Sequence, residues 1–198
     1  MQSMKNFAPL FFLVVLISVP ATAGKITSAY TIYDLGKCQR ISDPSEEFSG
    51  GYICKGFKGN SIYWAEGDLR AGLGFGKKPA TYCSVRQTFG GFNTVDSTVE
   101  WRLDGGKPFA TIQRWRVSFD PGNAEKIKTW LVVTRLESSN SCIVAAIEGS
   151  LPKSNEKARA AADGFARTFN CSTQQAKVIS KAPIAVDQLI SATPCVSP

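Results

Sequence analysis

Six cysteines constrain this chain more than any other feature of its sequence. They are Cys38, Cys54, Cys83, Cys142, Cys171 and Cys195. An even number without C-x-x-C spacing is typical of a disulfide framework in an oxidising compartment. A zinc site is not supported, because the cysteines lie in distant segments and the chain contains no histidine. The sequence therefore predicts three disulfides and neither a metal nor a cofactor.

The absence of histidine also excludes several kinds of catalysis. Ser-His-Asp and Cys-His systems need imidazole as the base. Catalytic zinc, facial-triad iron and axial haem sites usually need it as a ligand. What remains is carboxylate chemistry, Ser-Lys dyads and binding without catalysis.

Residues 1–23 have the three parts of a secretory signal peptide. Lys5 precedes an apolar stretch over residues 7–19, and residues 21–23 form an A-x-A cleavage site. The apolar stretch is shorter than the roughly 20 residues that a membrane-spanning helix needs. We therefore expect cleavage before Gly24, export to the periplasm or the medium, and no integral membrane segment in the mature chain.

The charge of the mature chain indicates the kind of partner. Loss of Lys5 reduces the net charge from +7 to +6. A positive charge favours an anionic envelope polymer, such as lipopolysaccharide, or an acidic protein. The basic residues are scattered in pairs and form no run, so nucleic acid is not an expected partner.

Glycine-rich turns and alternating apolar residues predict a chain dominated by strands. The predicted strands cover residues 30–33, 50–55, 61–66, 69–75, 81–89, 95–103, 108–119, 126–136 and 142–148. Glycines in residues 69–75 predict a weak or bulged strand. The last two strands are apolar on both faces, as expected of strands covered on two sides.

One helix is predicted over residues 155–169, with Ser154 as its N-cap. Its apolar stripe contains Ala158, Ala161, Ala162, Phe165 and Phe169. We expect Phe165 in the core, and Arg159, outside the stripe, to contribute little. The predicted fold is α+β: an antiparallel β-sheet, built as a meander of hairpins, with a C-terminal α-helix packed on one face. The alternative is a closed β-barrel or a sandwich with one helix.

The best-defined hairpin turns at Gly105-Gly106. A three-residue loop that includes Asp104 is preferred to a two-residue turn. The longer loop places Trp101 opposite Phe109. The shorter turn would put the apolar side chains of the two hairpin strands on opposite faces of the sheet.

Two of the disulfides follow from the predicted strands. Cys38 and Cys54 flank a polar loop, residues 42–50, and can face each other across a ladder. Cys142 opens the last strong strand and Cys171 follows the helix. A helix that runs back over the sheet would bring these two within disulfide distance.

Elimination pairs Cys83 with Cys195. We therefore expect one disulfide-bonded, β-rich domain over residues 24–171 and a C-terminal tail, residues 172–198, that Cys195 ties back. The oligomeric state is left open.

The motif Arg114-Trp115-Arg116 suggests an anion-binding face. If Trp115 faces the core, both arginines lie on the opposite side with Arg102 beside them. Arginine binds planar anions in bidentate fashion. The sequence favours a core tryptophan beneath a merely basic surface. The alternative is an anion-binding face whose candidate residues are Arg102, Arg114 and Arg116.

Two weaker motifs suggest enzymes. Glu66 and Asp68 could act as a carboxylate pair in glycoside hydrolysis, or they could belong to a turn in which Asp68 pairs with Arg70. Ser154 and Lys157 match an S-x-x-K motif, but helix capping explains Ser154 and the K-T-G element of penicillin-binding enzymes does not follow. We predict no catalytic residue.

Residues 65–70 (Ala-Glu-Gly-Asp-Leu-Arg) and Glu100-Trp101-Arg102 form distinctive blocks. With neighbouring matches over residues 30–171, they resemble a family of exported alphaproteobacterial proteins that has no assigned activity. The resemblance implies a periplasmic or secreted location. Tyr52-Ile53-Cys54 is more distantly similar to an element of periplasmic lysozyme inhibitors, which are small disulfide-linked β proteins.

The sequence thus favours a non-enzymatic periplasmic or secreted protein that binds an anionic partner or interacts with the envelope. The alternatives are an inhibitor of a lysozyme-like wall hydrolase and a carboxylate-based hydrolase.

Overall fold

The computed structural model describes residues 24–42, 50–120, 126–138, 140–183 and 195. The predicted signal peptide, residues 1–23, lies outside the described residues. In chain order the strands are β1 (Ile26–Ile32), β2 (Gln39–Ser42), β3 (Gly50–Lys55), β4 (Ser61–Gly67), β5 (Arg70–Gly76), β6 (Phe92–Asp104), β7 (Lys107–Ser118), β8 (Ile127–Leu136), β9 (Ser141–Glu148) and β10 (Lys177–Ile179). The helix α1 (Ser154–Ala161) continues into a π-helical turn, Ala162–Ala166.

These strands form two sheets. A large sheet has the order β1-β6-β7-β8-β9-β10, and a small sheet has the order β2-β3-β4-β5. All pairs are antiparallel except β9 with β10. The predicted α+β class is confirmed. Both sheets stay open over the described residues, so the alternative of a closed barrel is wrong.

The large sheet is the middle of three layers. On one face it packs against the small sheet, and on the other against α1. The core between the sheets includes Trp101, Trp115, Trp130, Phe75 and Phe89. The core under the helix includes Leu131, Val133, Ala145, Ala158 and Phe169. The centres of β8 and β9 are therefore covered on two sides, as their sequences predict.

The helix begins differently from the prediction. Lys153, with a left-handed φ of 57°, is the N-cap residue, and no side chain caps the helix. Ser154 lies in the first turn and is buried, so its predicted capping role is wrong. Ala158 and Phe169 are buried as predicted, whereas Phe165 is only half-buried, with the Lys177 ammonium 4.5 Å from its ring centre.

The β6–β7 hairpin has the shorter turn. Asp104 pairs with Lys107, and Gly105 and Gly106 both have positive φ, as a type I′ turn requires. The predicted Trp101–Phe109 pair is wrong, because a bulge at Phe109 places Trp101 opposite Thr111. The bulge turns Phe109 into the helix-side core, while Trp101 remains between the sheets.

The predicted strand at residues 81–89 is also wrong. Two short 3₁₀ turns, Pro79–Thr81 and Cys83–Val85, replace it and cross the outer face of β5. A Cβ at Gly72 would lie 2.3 Å from the Val85 oxygen, and one at Gly74 2.1 Å from the Pro79 oxygen. The glycines of β5 therefore admit this close crossing, and β5 pairs with β4 without the predicted bulge.

The structure contains the three predicted disulfides. Their Cα–Cα distances are 4.6 Å for Cys38–Cys54, 5.7 Å for Cys83–Cys195 and 5.9 Å for Cys142–Cys171. Cys195 also donates its backbone N–H to the Cys171 oxygen at 2.8 Å. The C-terminal segment contributes β10 as well, so the large sheet includes residues beyond position 171.

Candidate functional site

The three predicted arginines lie on the helix side of the large sheet. Arg102 contacts Asp163 in the π-helical turn, and Arg114 donates to the Asn155 side chain at 3.3 Å. Trp115 between Arg114 and Arg116 is buried between the sheets, as predicted. The arginines do share a face, but their charges are engaged by carboxylates.

Arg102 belongs to a buried ion-pair network. Its Nε and Nη2 donate to the two carboxylate oxygens of Asp163, at 2.9 and 2.5 Å. Glu100 accepts from Arg159 Nε at 2.7 Å and from Ser28 Oγ at 2.5 Å. Two guanidinium groups and two carboxylates balance, and the hydrogen bond to Glu100 raises the pKa of Arg159. This network joins the helix to β6 and β1 and leaves no net charge for a ligand.

Arg114 and Arg116 share one carboxylate. Between Val95 and Val99 the strand β6 bulges, so that three residues oppose Arg114 alone. The bulge places Asp96 2.8 Å from Arg116 Nε and 3.9 Å from Arg114 Nε. The hydrogen bond to Asp96 raises the pKa of Arg116. One positive charge remains uncompensated at this pair, and anion binding there stays a prediction.

A buried phenol lies behind this bulge. Gln113 Nε2 donates to Tyr33 Oη at 3.2 Å and also to the Asp96 carbonyl oxygen. Burial raises the pKa of Tyr33 to about 12. The phenol is therefore neutral at physiological pH and suits a structural role better than acid–base catalysis.

Asp68 lies in the β4–β5 hairpin turn, and Glu66 lies in β4 just before it. Asp68 and Leu69 have φ values of 49° and 58°, and the Asp68 carboxylate pairs with Arg70, as the turn interpretation of the sequence expects. Glu66 instead lines an open groove of about 360 Å³ that also contains Asp120. This groove is the one observation that favours the carboxylate-hydrolase alternative.

The tertiary structure creates a second basic surface, which we call the lysine end. It consists of six exposed lysines at one end of the two sheets: Lys25, Lys55, Lys58, Lys77, Lys78 and Lys107. They lie in or directly beside the β3–β4 turn, the segment after β5, the β6–β7 turn and the start of β1. Strand pairing brings these segments together.

Direct contacts hold the loops of the lysine end. Lys58 Nζ donates to the Gly106 oxygen at 2.9 Å, which joins the β3–β4 turn to the β6–β7 turn. Lys77 Nζ donates to the Gly59 oxygen at 2.8 Å. A Cβ at Gly24 would touch the Asp104 carboxylate, so the next residue, Lys25, also lies close to the β6–β7 turn. Two of the six ammonium groups are thus held in position by backbone carbonyls.

The lysine end has little compensating negative charge. Within the described ranges, no carboxylate lies at ion-pair distance from any of its six ammonium groups. Asp104, beside the β6–β7 turn, is already paired with Arg167. Carbonyl oxygens accept hydrogen bonds from Lys58 and Lys77 but neutralise no charge. The surface is therefore strongly cationic and open to solvent.

Sequence reasoning missed this surface, although one signal was available. In a hairpin meander, alternate turns lie at the same end of the sheet, so Lys58 and Lys77 had to be neighbours once β3, β4 and β5 were predicted. The position of Lys107 had no such signal, because it lies in the other sheet and depends on how the two sheets pack.

The described residues define a two-sheet α+β protein with three disulfides and a basic end. Among them no group of histidine, cysteine, aspartate or glutamate side chains could hold a metal ion. The same part of the chain contains no helix of the length and apolarity needed to cross a membrane. No family model, curated protein or solved structure was found to match the chain.

Proposed function

We propose that this chain is an exported, non-enzymatic binding protein that engages an anionic envelope polymer through the lysine end. The observation that carries the proposal is the cluster of six exposed lysines without carboxylate partners. Three disulfides are compatible with an oxidising compartment outside the cytoplasm.

The distribution of charge supports a polymer rather than a small anion. Lys58, Lys77 and Lys107 come from three different chain segments, so their charges are spread over a surface. Surface cations close together raise the local potential and attract counterions and polyanions. A partner with repeating phosphate or carboxylate groups can neutralise many of these charges at once, and salt should weaken its binding because the site is exposed.

The binding test uses the mature chain and lipopolysaccharide micelles as the anionic probe. The variant Lys55→Glu/Lys78→Glu/Lys107→Glu reverses three lysines for which the structure shows no ion pair. We expect about a tenfold loss of affinity or more, equivalent to about 1.4 kcal/mol. Raising the salt concentration should weaken the wild type more steeply than the variant.

The matched control reverses three exposed lysines elsewhere for which the described residues likewise show no ion pair: Lys128→Glu/Lys157→Glu/Lys181→Glu. Both triple variants change the net charge equally, so a loss common to both would mean that only total charge matters. That result, or a wild type that fails to bind any anionic polymer, would overturn the proposal. Circular dichroism checks that both variants remain folded.

Export is tested separately. N-terminal sequencing of protein recovered outside the cytoplasm should begin at Gly24, as the A-x-A site requires. A recovered chain that retains residues 7–19 would contradict export by cleavage.

The groove that contains Glu66 and Asp120 supports a second candidate, a carboxylate-based hydrolase. Release of reducing ends from peptidoglycan or another glycan by the wild type, abolished by Glu66→Gln, would favour it. Inhibition of lysozyme by the mature chain would instead favour the inhibitor alternative.

A further inference from the structure

Strand β1 is an unprotected sheet edge. Among the described residues it pairs with β6 on one side and with no strand on the other. Its sequence, Ile-Thr-Ser-Ala-Tyr-Thr-Ile, contains no charged residue, proline or glycine. Soluble proteins usually protect such edges with charges, proline or bulges, because a bare edge is a template for another strand.

The hydrogen bonds identify the backbone groups of β1 that point away from β6. Tyr33 N–H donates to the Ser97 oxygen on β6 at 3.1 Å. In an antiparallel pair the backbone groups of successive residues point alternately toward and away from the partner. The groups of Thr31 therefore face β6, whereas those of Ser28, Tyr30 and Ile32 face outward.

Two large side chains accompany these outward-facing groups. Tyr30 is 57% exposed and Ile32 is 77% exposed. Side chains two residues apart lie on the same face of a strand. The Tyr30 ring and the Ile32 methyl groups therefore both project on the helix side, beside the open edge. Within the part of the chain that the structure describes, the edge thus combines unpaired backbone donors and acceptors with an apolar strip.

We propose that two copies of this chain pair β1 with β1, antiparallel, about a two-fold axis at Tyr30. In this register Tyr30 meets its own counterpart, and Ser28 of each copy meets Ile32 of the other. Every outward-facing residue of one strand then meets an outward-facing residue of the second, and each such pair exchanges two hydrogen bonds. The apolar strips of the two copies become neighbours on one face.

The charges that flank β1 favour a second copy over a foreign strand. Lys25 precedes the strand and Asp34 follows it, and both are exposed. Asp34 also lies 3.4 Å from the Nζ of Lys37, but that pair is exposed to solvent and contributes little. An antiparallel arrangement brings opposite ends together, so Lys25 of each copy approaches Asp34 of the other. The edge is therefore complementary to itself in backbone groups, apolar side chains and charge, and the interface has the symmetry of a closed dimer.

Sedimentation of the mature chain over a range of concentrations tests the proposal. The wild type should dimerise, and Ile32→Lys should weaken the dimer at least about tenfold, because it places an ammonium group in the paired strip. Ile127→Lys, at an exposed isoleucine of β8, is the matched control and should leave the dimer unchanged. A wild type that stays monomeric would overturn self-pairing and leave the edge to a foreign strand.

A cross-link gives a second readout that does not depend on affinity. Directly opposed residues of a hydrogen-bonded pair lie about 5.5 Å apart at Cα, a separation that a disulfide can bridge. Tyr30→Cys should therefore oxidise to a covalent dimer, whereas Thr27→Cys, displaced from the axis, should not. Equal cross-linking of the two variants, or none by Tyr30→Cys, would refute the register.

Discussion

Replacing Arg102 with methionine tests whether the buried ion-pair network holds the helix on the sheet. The Arg102 side chain is 8% exposed, and its guanidinium binds Asp163, which is 27% exposed. Methionine retains the apolar stem but leaves Asp163 without its partner. Removing one member of a buried pair costs about 3–5 kcal/mol. Because water reaches Asp163 in part, we expect the lower end, about 3 kcal/mol.

Arg167→Met is the matched control for this change. Arg167 also joins the helical segment to β6, through Asp104, but both of these side chains are more than a third exposed. An exposed pair contributes up to about 1 kcal/mol. Urea titration with the disulfides intact, followed by tryptophan fluorescence, measures both free energies of unfolding.

A double-mutant cycle adds a further check. Asp163→Leu removes the carboxylate that Arg102→Met leaves without a partner. The double variant Arg102→Met/Asp163→Leu should therefore lose less stability than the sum of the two single variants, by about 1 kcal/mol or more. Equal, small losses from Arg102→Met and Arg167→Met, together with no coupling in the cycle, would refute the interpretation of the network as a structural clamp.

Three further predictions concern the core and its edges. Phe169→Ala should destabilise the chain by about 3 kcal/mol because that ring is buried. Phe165→Ala should lose about half as much stability because that ring is only half-buried. Equal losses in urea titrations would contradict this. Gly74→Ala should cost about 1–3 kcal/mol through its clash with the Pro79 oxygen. By contrast, Gly164→Ala should gain about 0.5 kcal/mol of stability, because the space around its Cβ is open. Thermal melts in which Gly74→Ala is neutral would refute the close crossing over β5. Burial raises the pKa of Tyr33 from 10.0 to about 12. The stabilisation that the neutral phenol contributes is therefore fully present below pH 10 and is lost as the pH rises toward 12, by up to about 3 kcal/mol. In Tyr33→Phe the free energy of unfolding should therefore fall less steeply between pH 10 and 12. A slope equal to that of the wild type would contradict the raised pKa.

The sequence by itself identified many elements of the fold. Alternation predicted β3 at its observed bounds, and apolar residues on both faces predicted that β8 and β9 are covered twice. The 3.6-residue period located α1, and the antiparallel return of that helix predicted Cys142–Cys171. These features depend on neighbouring residues or on one short connection, which is why a local pattern is enough to predict them.

Other features followed from packing alone. The two-residue turn and the bulge at Phe109 place Trp101 opposite Thr111 instead of Phe109, because the helix-side core accepts the Phe109 ring, whereas Val95 lies opposite Trp115 as the preferred register requires. Glycines that indicated a weak strand instead admit residues 79–85 across β5. In each case the deciding contact comes from a segment that the local sequence pattern does not identify.

The candidate site shows the same division. The sequence determined that the chain is basic and places Arg114 and Arg116 on one face of a strand. Only the tertiary structure brought Asp96 and Asp163 to those arginines and to Arg102, and gathered lysines from two sheets at one end. Charge is a property of composition, whereas the potential at a surface depends on which charges lie within a few ångströms of each other, and that distance is decided by how distant segments pack.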